Sequence, residues 1–259
     1  MPHISYSELK DWVHCAFYHK LTRIDKISGF TGNLYTAFGK ALHTFCESKM
    51  LNEEIENDEE FFIDSFEESI DELDDTVTLD QKMIADMRTQ GKQILPEVMK
   101  ALNDYFGEWY LVGTEIPLMQ PIEGHSDYKF KGFIDAIIMT PDGIVHIFDW
   151  KTCSWGWDSR RRTDKMTTYQ LTLYKHFYAK KLNLDPEEVE THFALLKRTA
   201  KKERVEFFKV TSGERKVQNA LELLNKAIVN IKRKRYIKNR SSCTGGFGCK
   251  FHQTEHCPL

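Results

Sequence analysis

No apolar run in this 259-residue chain approaches the roughly 20 residues that a membrane-spanning helix needs. The first ten residues lack the basic and then apolar pattern of a secretory leader. Together these absences predict a protein with no membrane partner, in an intracellular, reducing compartment such as the cytoplasm. Internal repeats and low-complexity linkers are also missing, so a solenoid or a tethered array is excluded. Lys and Arg are absent from residues 53–75, where 13 Asp and Glu residues crowd together. Setting those charges aside turns the net −3 into +10 for the remainder. A basic body suits a polyanion, because Lys and Arg on phosphates release condensed counterions. Solvated helix faces account for the same charges equally well.

Cysteine is sparse and unevenly placed. Of six, at 15, 46, 153, 243, 249 and 257, three fall in the last seventeen residues. In a reducing compartment such clustering points to metal rather than to disulfides. Cys46 and Cys153 have no clustered partner and read as buried free thiols.

The hydrophobic pattern supplies the elements. Ser5 followed by Glu8 has the form of a capping box, and Leu9, Trp12, Val13, Ala16 and Phe17 then keep helical spacing, with Cys15 on the same helix. A second helix is expected over 34–51, with Phe38, Leu42 and Phe45 inward. The acidic stretch spaces Phe61, Phe62, Phe66, Ile70 and Leu73 as an amphipathic helix would. A long helical pattern over 81–110 contains Pro96, a kink or break. Strands are expected over 111–119, 128–139 and 144–151, the last two joined through Pro141-Asp142-Gly143 as a hairpin. A helix over 164–182, strands over 189–197 and 204–210, and a final helix over 214–236 complete a mixed α/β chain.

Two of those strands carry the chemistry. Asp135 lies in Phe133-Ile134-Asp135-Ala136-Ile137-Ile138, too apolar a run to welcome a carboxylate. Asp149 and Lys151 close the run His146-Ile147-Phe148-Asp149-Trp150-Lys151 and share a face, because strand side chains alternate with period two. Hairpin pairing can bring Asp135 to Asp149. Two carboxylates and a lysine are what metal-assisted phosphodiester hydrolysis needs: the acids hold Mg²⁺ or Mn²⁺, and the ammonium orients water or offsets transition-state charge. The competing reading is a buried ion pair with no catalytic role.

The order Gly132-x-x-Asp135, then Asp149-x-Lys151, resembles the PD-(D/E)xK nucleases. More specifically it resembles their RecB-like exonuclease branch, which includes nuclease domains of recombination helicases and CRISPR-associated exonucleases. Gly39-x-x-x-His43 is similar to that branch's upstream motif, and Gln170-x-x-x-Tyr174 to its downstream motif. Glu115 stands where the branch often has an acid on its first strand. The resemblance implies a restriction-endonuclease-like core, a central mixed sheet flanked by helices, with an N-terminal helical elaboration. It implies a single nuclease domain over 1–259: a mainly helical part, 1–110, carrying Cys15 and His43, a catalytic α/β core, 111–212, and a C-terminal helix with the cysteine cluster, 213–259. By resemblance, His43, Asp135, Asp149 and the Trp150 carbonyl ligate metal, and Lys151 positions water. Gln170 and Tyr174 hold Lys151 or the phosphate, and Glu115 supports the site or binds a second metal. The implied activity is exonucleolytic cleavage of DNA ends or single strands in repair, recombination or phage replication, with a helicase or recombination protein as partner. A structure-selective endonuclease and a catalytically silent DNA-end-binding subunit are the alternatives.

Some members of the branch hold a [4Fe–4S] cluster with one N-terminal and three C-terminal cysteines. Resemblance assigns Cys15, Cys243, Cys249 and Cys257 to such a cluster, which would join the two chain ends. His252 and His256 lie among these cysteines, so zinc is the alternative. For substrate handling, Trp155 and Trp157 with Arg160, Arg161 and Arg162 can stack bases and grip phosphates. Lys197 and Arg198 belong to a second basic patch. The competing reading makes the tryptophans core and the arginines solvated.

Overall fold

The computed structural model describes residues 2–27, 32–245 and 248–258. It comprises two compact units that interleave along the chain, 1–31 with 119–132 and 213–259, and 32–118 with 133–212. Cys15 and His43, close in sequence, therefore fall in different units.

In the first unit, β1 (His3–Ser5) leads into α1 (Tyr6–His14). Ser5 Oγ accepts the Glu8 N–H at 3.1 Å, but the Glu8 carboxylate meets His19 at 2.8 Å instead of closing the capping box. The expected continuous helix is interrupted. Cys15 is extended, at φ −164° and ψ 118°, and α2 (Ala16–His19) restarts behind it. Leaving helical geometry sets the thiol beside the Asn239 N–H, 3.3 Å away, in the same unit.

The second unit opens with α3 (Leu34–Met50), α4 (Asp58–Asp71) and α5 (Gln81–Phe106). Asn33, Asn57 and Asp80 cap them, each side chain accepting first-turn N–H groups. The acidic stretch is the amphipathic helix expected: Asp58, Glu59 and Glu60 occupy the positive end of α4, and Phe62 and Phe66 pack edge-on to Phe38. Any Cβ at Gly91 would collide with the Phe62 ring, so α4 and α5 approach closely only because that residue is glycine. Pro96 does not end α5, which runs on for ten further residues to Phe106.

The sheet follows: β2 (Tyr110–Ile122), β3 (His125–Met139), β4 (Val145–Cys153), β5 (Val189–Lys197) and β6 (Val205–Lys209). β3 and β4 pair antiparallel with Ala136 opposite Phe148, through the hairpin whose Gly143 takes φ +85°. β4 and β5 run parallel, with His146 opposite Glu190 and Asp149 opposite Phe193, and β6 is antiparallel to β5. β2 pairs with β3, and within the first unit β1 lies parallel to β3 at Lys129–Lys131. The crossover between β4 and β5 contains a short α6 (Ser159–Thr163) and α7 (Lys165–Leu182), and α7 packs on both strands. Helices α3 to α5 enclose one core with Phe148, Trp150, Ala194 and Phe207. Flanked in this way, β4 is buried from Val145 through Trp150. This is the mixed α/β chain that the pattern predicted, with the mixed central sheet that the resemblance implied. In the first unit α8 (Glu214–Lys232) packs on α1, and α9 (Ser241–Thr244) precedes the last cysteines. No helix among the described residues is long and apolar enough to cross a membrane.

Candidate active site

The β3–β4 ladder ends at Ala136 opposite Phe148, and the next step is made by a side chain. Asp135 Oδ2 accepts the Trp150 N–H at 2.8 Å, so a carboxylate takes the place of a main-chain partner. One residue either side of Trp150, Asp149 and Lys151 share the opposite face of β4 and form an ion pair. His43 reaches the same cluster from α3, its Nδ1 3.5 Å from Asp135 Oδ2. Gly39, one turn earlier, explains the approach of the helix: a Cβ there would lie 3.3 Å from Thr152 Oγ1 on β4. From α7, Gln170 Nε2 donates to Asp149 Oδ1 at 2.5 Å and lies 3.5 Å from the Tyr174 hydroxyl.

Burial governs the charges. Asp149 is 1% exposed, and desolvation, with Asp135 nearby, pushes its carboxyl up to about 6 despite Lys151. Asp135 rises to about 6 for the same first reason, with Glu115 and Glu47 adding to it. Burial and then the Lys151 charge lower His43 to about 4, which keeps the imidazole neutral and able to ligate. Burial alone would lower the Lys151 pKa, but Asp149 and Asp135 outweigh it and the ammonium is held. Tyr174 is raised by burial and by Asp149, so its phenol keeps its proton. Asp149 Oδ2 is buried and, apart from the Lys151 ion pair, has no hydrogen-bond partner. A neutral imidazole, two carboxylates short of solvation and the Trp150 backbone, already hydrogen-bonded to His43, suit a hard divalent cation.

One contributor escaped the sequence reading. Glu47 lies one helical turn beyond His43, accepts the Thr114 hydroxyl at 3.0 Å, and raises the pKa of Asp135, Glu115 and His43. The spacing His43-x-x-x-Glu47 was the available signal. Glu115 is exposed but bears on the cluster electrostatically: burial, Glu47 and Asp149 raise its carboxyl. Its backbone is left-handed at φ +45°, a strained conformation for a residue with a side chain and a local kink within β2.

The aromatic and basic residues beyond β4 separate into two groups. Trp155 is 75% exposed, and Arg160 and Arg161 are also at the surface. Trp157, 5% exposed, packs between Phe193 and Phe208, with the Arg161 guanidinium 4.5 Å over its ring. Arg162 and Lys197 both pair with Glu206, and Lys197 is buried. Arg198 bonds Gln90 at 2.8 Å and lies over the Tyr35 ring. Trp157, Arg162, Lys197 and Arg198 are thus committed to internal partners.

The first unit brings the four terminal cysteines together. Cys15, Cys243, Cys249 and Cys257 line one cavity of about 130 Å³ with Phe17, Tyr18 and Phe251. None of the four is in a disulfide. Burial first, then the thiols of Cys249, Cys15 and Cys257, raise the Cys243 thiol. His252 also lines the cavity, whereas His256 stands beside Glu255. Cys46 is buried as expected, but Cys153 is only half-buried at the end of β4. An apolar cavity faced by four thiols suits a soft-ligand metal group.

A family model described as the PD-(D/E)XK nuclease superfamily matches residues 3–258. No curated protein is detectably similar in sequence. Among solved structures, one described as a "putative exonuclease" from Eubacterium rectale aligns at TM-score 0.61 and 15% identity, over 93% of this chain and 86% of its own. That likeness speaks to the fold. A second, SSO0001, aligns at TM-score 0.35 and 13% identity over 86% of this chain and 84% of its own, too low a score to support anything.

Proposed function

Because this chain belongs to the PD-(D/E)XK nuclease superfamily, we propose that it is a metal-dependent deoxyribonuclease, an exonuclease acting on DNA ends or single strands. The observation that carries this reading is the meeting of His43, Asp135, Asp149, Lys151 and Gln170, from four separate elements, in one cluster. The motifs Gly39-x-x-x-His43 and Gln170-x-x-x-Tyr174 on either side support a place in the RecB-like branch.

In this reading His43, Asp135, Asp149 and the Trp150 carbonyl hold Mg²⁺ or Mn²⁺. When bound, the cation supplies a Lewis acid that polarises the phosphate and makes water easier to deprotonate. Lys151, kept charged by Asp149 and Asp135, orients the attacking water and offsets the charge that builds on the phosphoryl oxygens. Gln170 fixes Asp149 through its amide, which also donates to the Tyr174 oxygen, and Tyr174, protonated, is a donor toward the phosphate. Glu115 and Glu47 add negative charge beside the cluster, as outer support or for a second cation. Hydrolysis leaves a 5′-phosphate and a 3′-hydroxyl. Trp155 offers a stacking face for an unpaired base, with Arg160 and Arg161 for phosphates. A helicase or a recombination protein is the class of partner that would present such ends.

We assign Cys15, Cys243, Cys249 and Cys257 to a structural [4Fe–4S] cluster, with zinc as the competing occupant. The Asn239 N–H 3.3 Å from the Cys15 sulfur supports a thiolate there. Protein purified without oxygen is expected to be brown, and a colourless, zinc-containing sample would remove the cluster assignment.

The test of the nuclease is degradation of end-labelled single-stranded DNA with Mg²⁺ or Mn²⁺, by wild type beside Lys151→Ala. Metal-dependent laddering lost in the variant is the expected result, and the choice of labelled end reads the polarity. Wild type that binds DNA and cuts it with neither metal would leave a binding subunit instead.

A further inference from the structure

A second polar cluster lies on β4 and β5, on the face that packs against α5. The parallel register sets His146 directly opposite Glu190, and His192 follows two residues on, so all three side chains share that face. His146 and His192 are 8% and 2% exposed, and their rings pack against Phe106 at centroid distances of 4.9 and 5.1 Å. Nothing in the proposed DNA-cleavage chemistry uses them.

The donor atoms converge. His146 Nδ1 and His192 Nε2 lie 3.1 Å apart, and Glu190 Oε2 stands 3.8 Å from the first and 3.7 Å from the second. A point equidistant from these three atoms is about 2.1 Å from each, which matches zinc–imidazole and zinc–carboxylate bond lengths. The groups behind the donors are also set for ligation. Thr140 Oγ1 lies 3.0 Å from His146 Nε2, and the Tyr105 hydroxyl 3.3 Å from His192 Nδ1. Thr140 spends its own proton on Asp142, so it accepts from His146 Nε2–H and leaves a lone pair on Nδ1 facing inward. The other Glu190 oxygen pairs with Lys209, which fixes the carboxylate. On its open side the cluster faces a concavity of about 560 Å³ that also exposes Glu108 and Asp142.

We propose that His146 Nδ1, Glu190 Oε2 and His192 Nε2 form a divalent transition-metal site of the zinc type, separate from the nuclease centre, whose fourth position opens to the concavity. Two imidazoles and one carboxylate favour Zn²⁺ or Co²⁺ over Mg²⁺, which prefers an all-oxygen shell. A bound ion would tie β4 to β5 directly, and to the end of α5 through Tyr105. Without one, the His146–His192 contact is a single N–H···N hydrogen bond, with Tyr105 donating to His192 Nδ1.

The experiment uses the full chain stripped by chelator and titrated with Zn²⁺ against a competing chelator, counting retained zinc per chain. His192→Ala and Glu190→Gln are each expected to retain one zinc fewer than wild type, or to hold it at least 100-fold more weakly. Glu190 is partly exposed, so its amide variant preserves the fold if His192→Ala does not. In parallel, ¹⁵N spectra of histidine-labelled wild type should show His146 Nδ1 and His192 Nε2 shifting together on zinc addition, independent of any DNA cleavage. An unchanged zinc count in Glu190→Gln, or ring nitrogens that stay hydrogen-bonded to each other at saturating zinc, overturns the proposal.

Discussion

One strand, β4, carries two polar clusters three residues apart, and burial acts on them with opposite signs. At its end, Asp149 with Asp135 is pushed toward the protonated, neutral form, and Lys151 supplies the compensating charge. Nearer its start, on the other face, His146 and His192 are pushed toward the deprotonated, neutral form, His192 down to about 3. Both clusters are polar groups held in a strand that is otherwise core. The difference lies in donor chemistry: hard oxygens at one end, borderline nitrogens at the other. A single strand can thus carry carboxylates on one face and imidazoles on the other.

Removing the lysine is the harshest test of that contrast. Lys151→Ala should cut DNA cleavage by about 10³-fold, the size typical of losing one transition-state charge partner, while DNA binding in a gel shift changes only a few-fold. A variant that keeps its rate would show that the ion pair at the end of β4 is structural. Next in size, Gln170→Ala frees Asp149 and should lower the cleavage rate by about 10- to 100-fold, as loss of an outer partner to a ligand does. Steady-state rates at saturating Mn²⁺ would check it.

Stability without metal probes the signs directly. Asp135 has its pKa raised on folding, so it stabilises the fold below about pH 4 and that contribution is lost as pH rises through 6. In chelator, Asp135→Asn should therefore exceed wild type by about 2 kcal/mol at pH 8 and converge with it near pH 4, as read from urea midpoints. The Asn can still accept the Trp150 N–H, so the ladder is spared. His192 has its pKa depressed on folding, so its contribution is present above pH 6.5 and is lost as pH falls toward 3. The smallest effect follows from the overlap. Between pH 6.5 and 5 Asp135 and Asp149 gain stability on acidification while His43, His146 and His192 lose it, so Asp135→Asn, with one of the opposing slopes removed, should lose about 1 kcal/mol more than wild type over that range. A variant profile as flat as wild type would mean that the two clusters do not respond oppositely to burial.

Much of the architecture was legible because it is local. Period-two and period-3.6 patterns placed α3, α4, α7, β5 and the β3–β4 hairpin within a few residues of their observed ends. Asp135 stood out as a carboxylate among Ile and Phe, and Asp149 with Lys151 as same-face charges at a strand end. Glu47 did not stand out, because a glutamate one turn after a histidine looks like any exposed helix charge until β2 brings Thr114 to it. Cys15 was read onto a helix, since nothing in Val13-His14-Cys15-Ala16 announces the break that its extended backbone makes. Trp155 and Trp157 were indistinguishable in sequence, yet one is at the surface and the other is core.

What the chain's order of residues determined by itself was which elements form, in what sequence, and which carry charges that an apolar strand cannot leave idle. Which of those charges meet was decided only by tertiary pairing. His146 and Glu190 are 44 positions apart and are joined by the parallel register of β4 and β5, with a whole helix in between. Side-chain alternation is a property of each strand alone, but register is chosen to bury every apolar face at once, and a slip of one residue would send each of these ligands to the other face of the sheet.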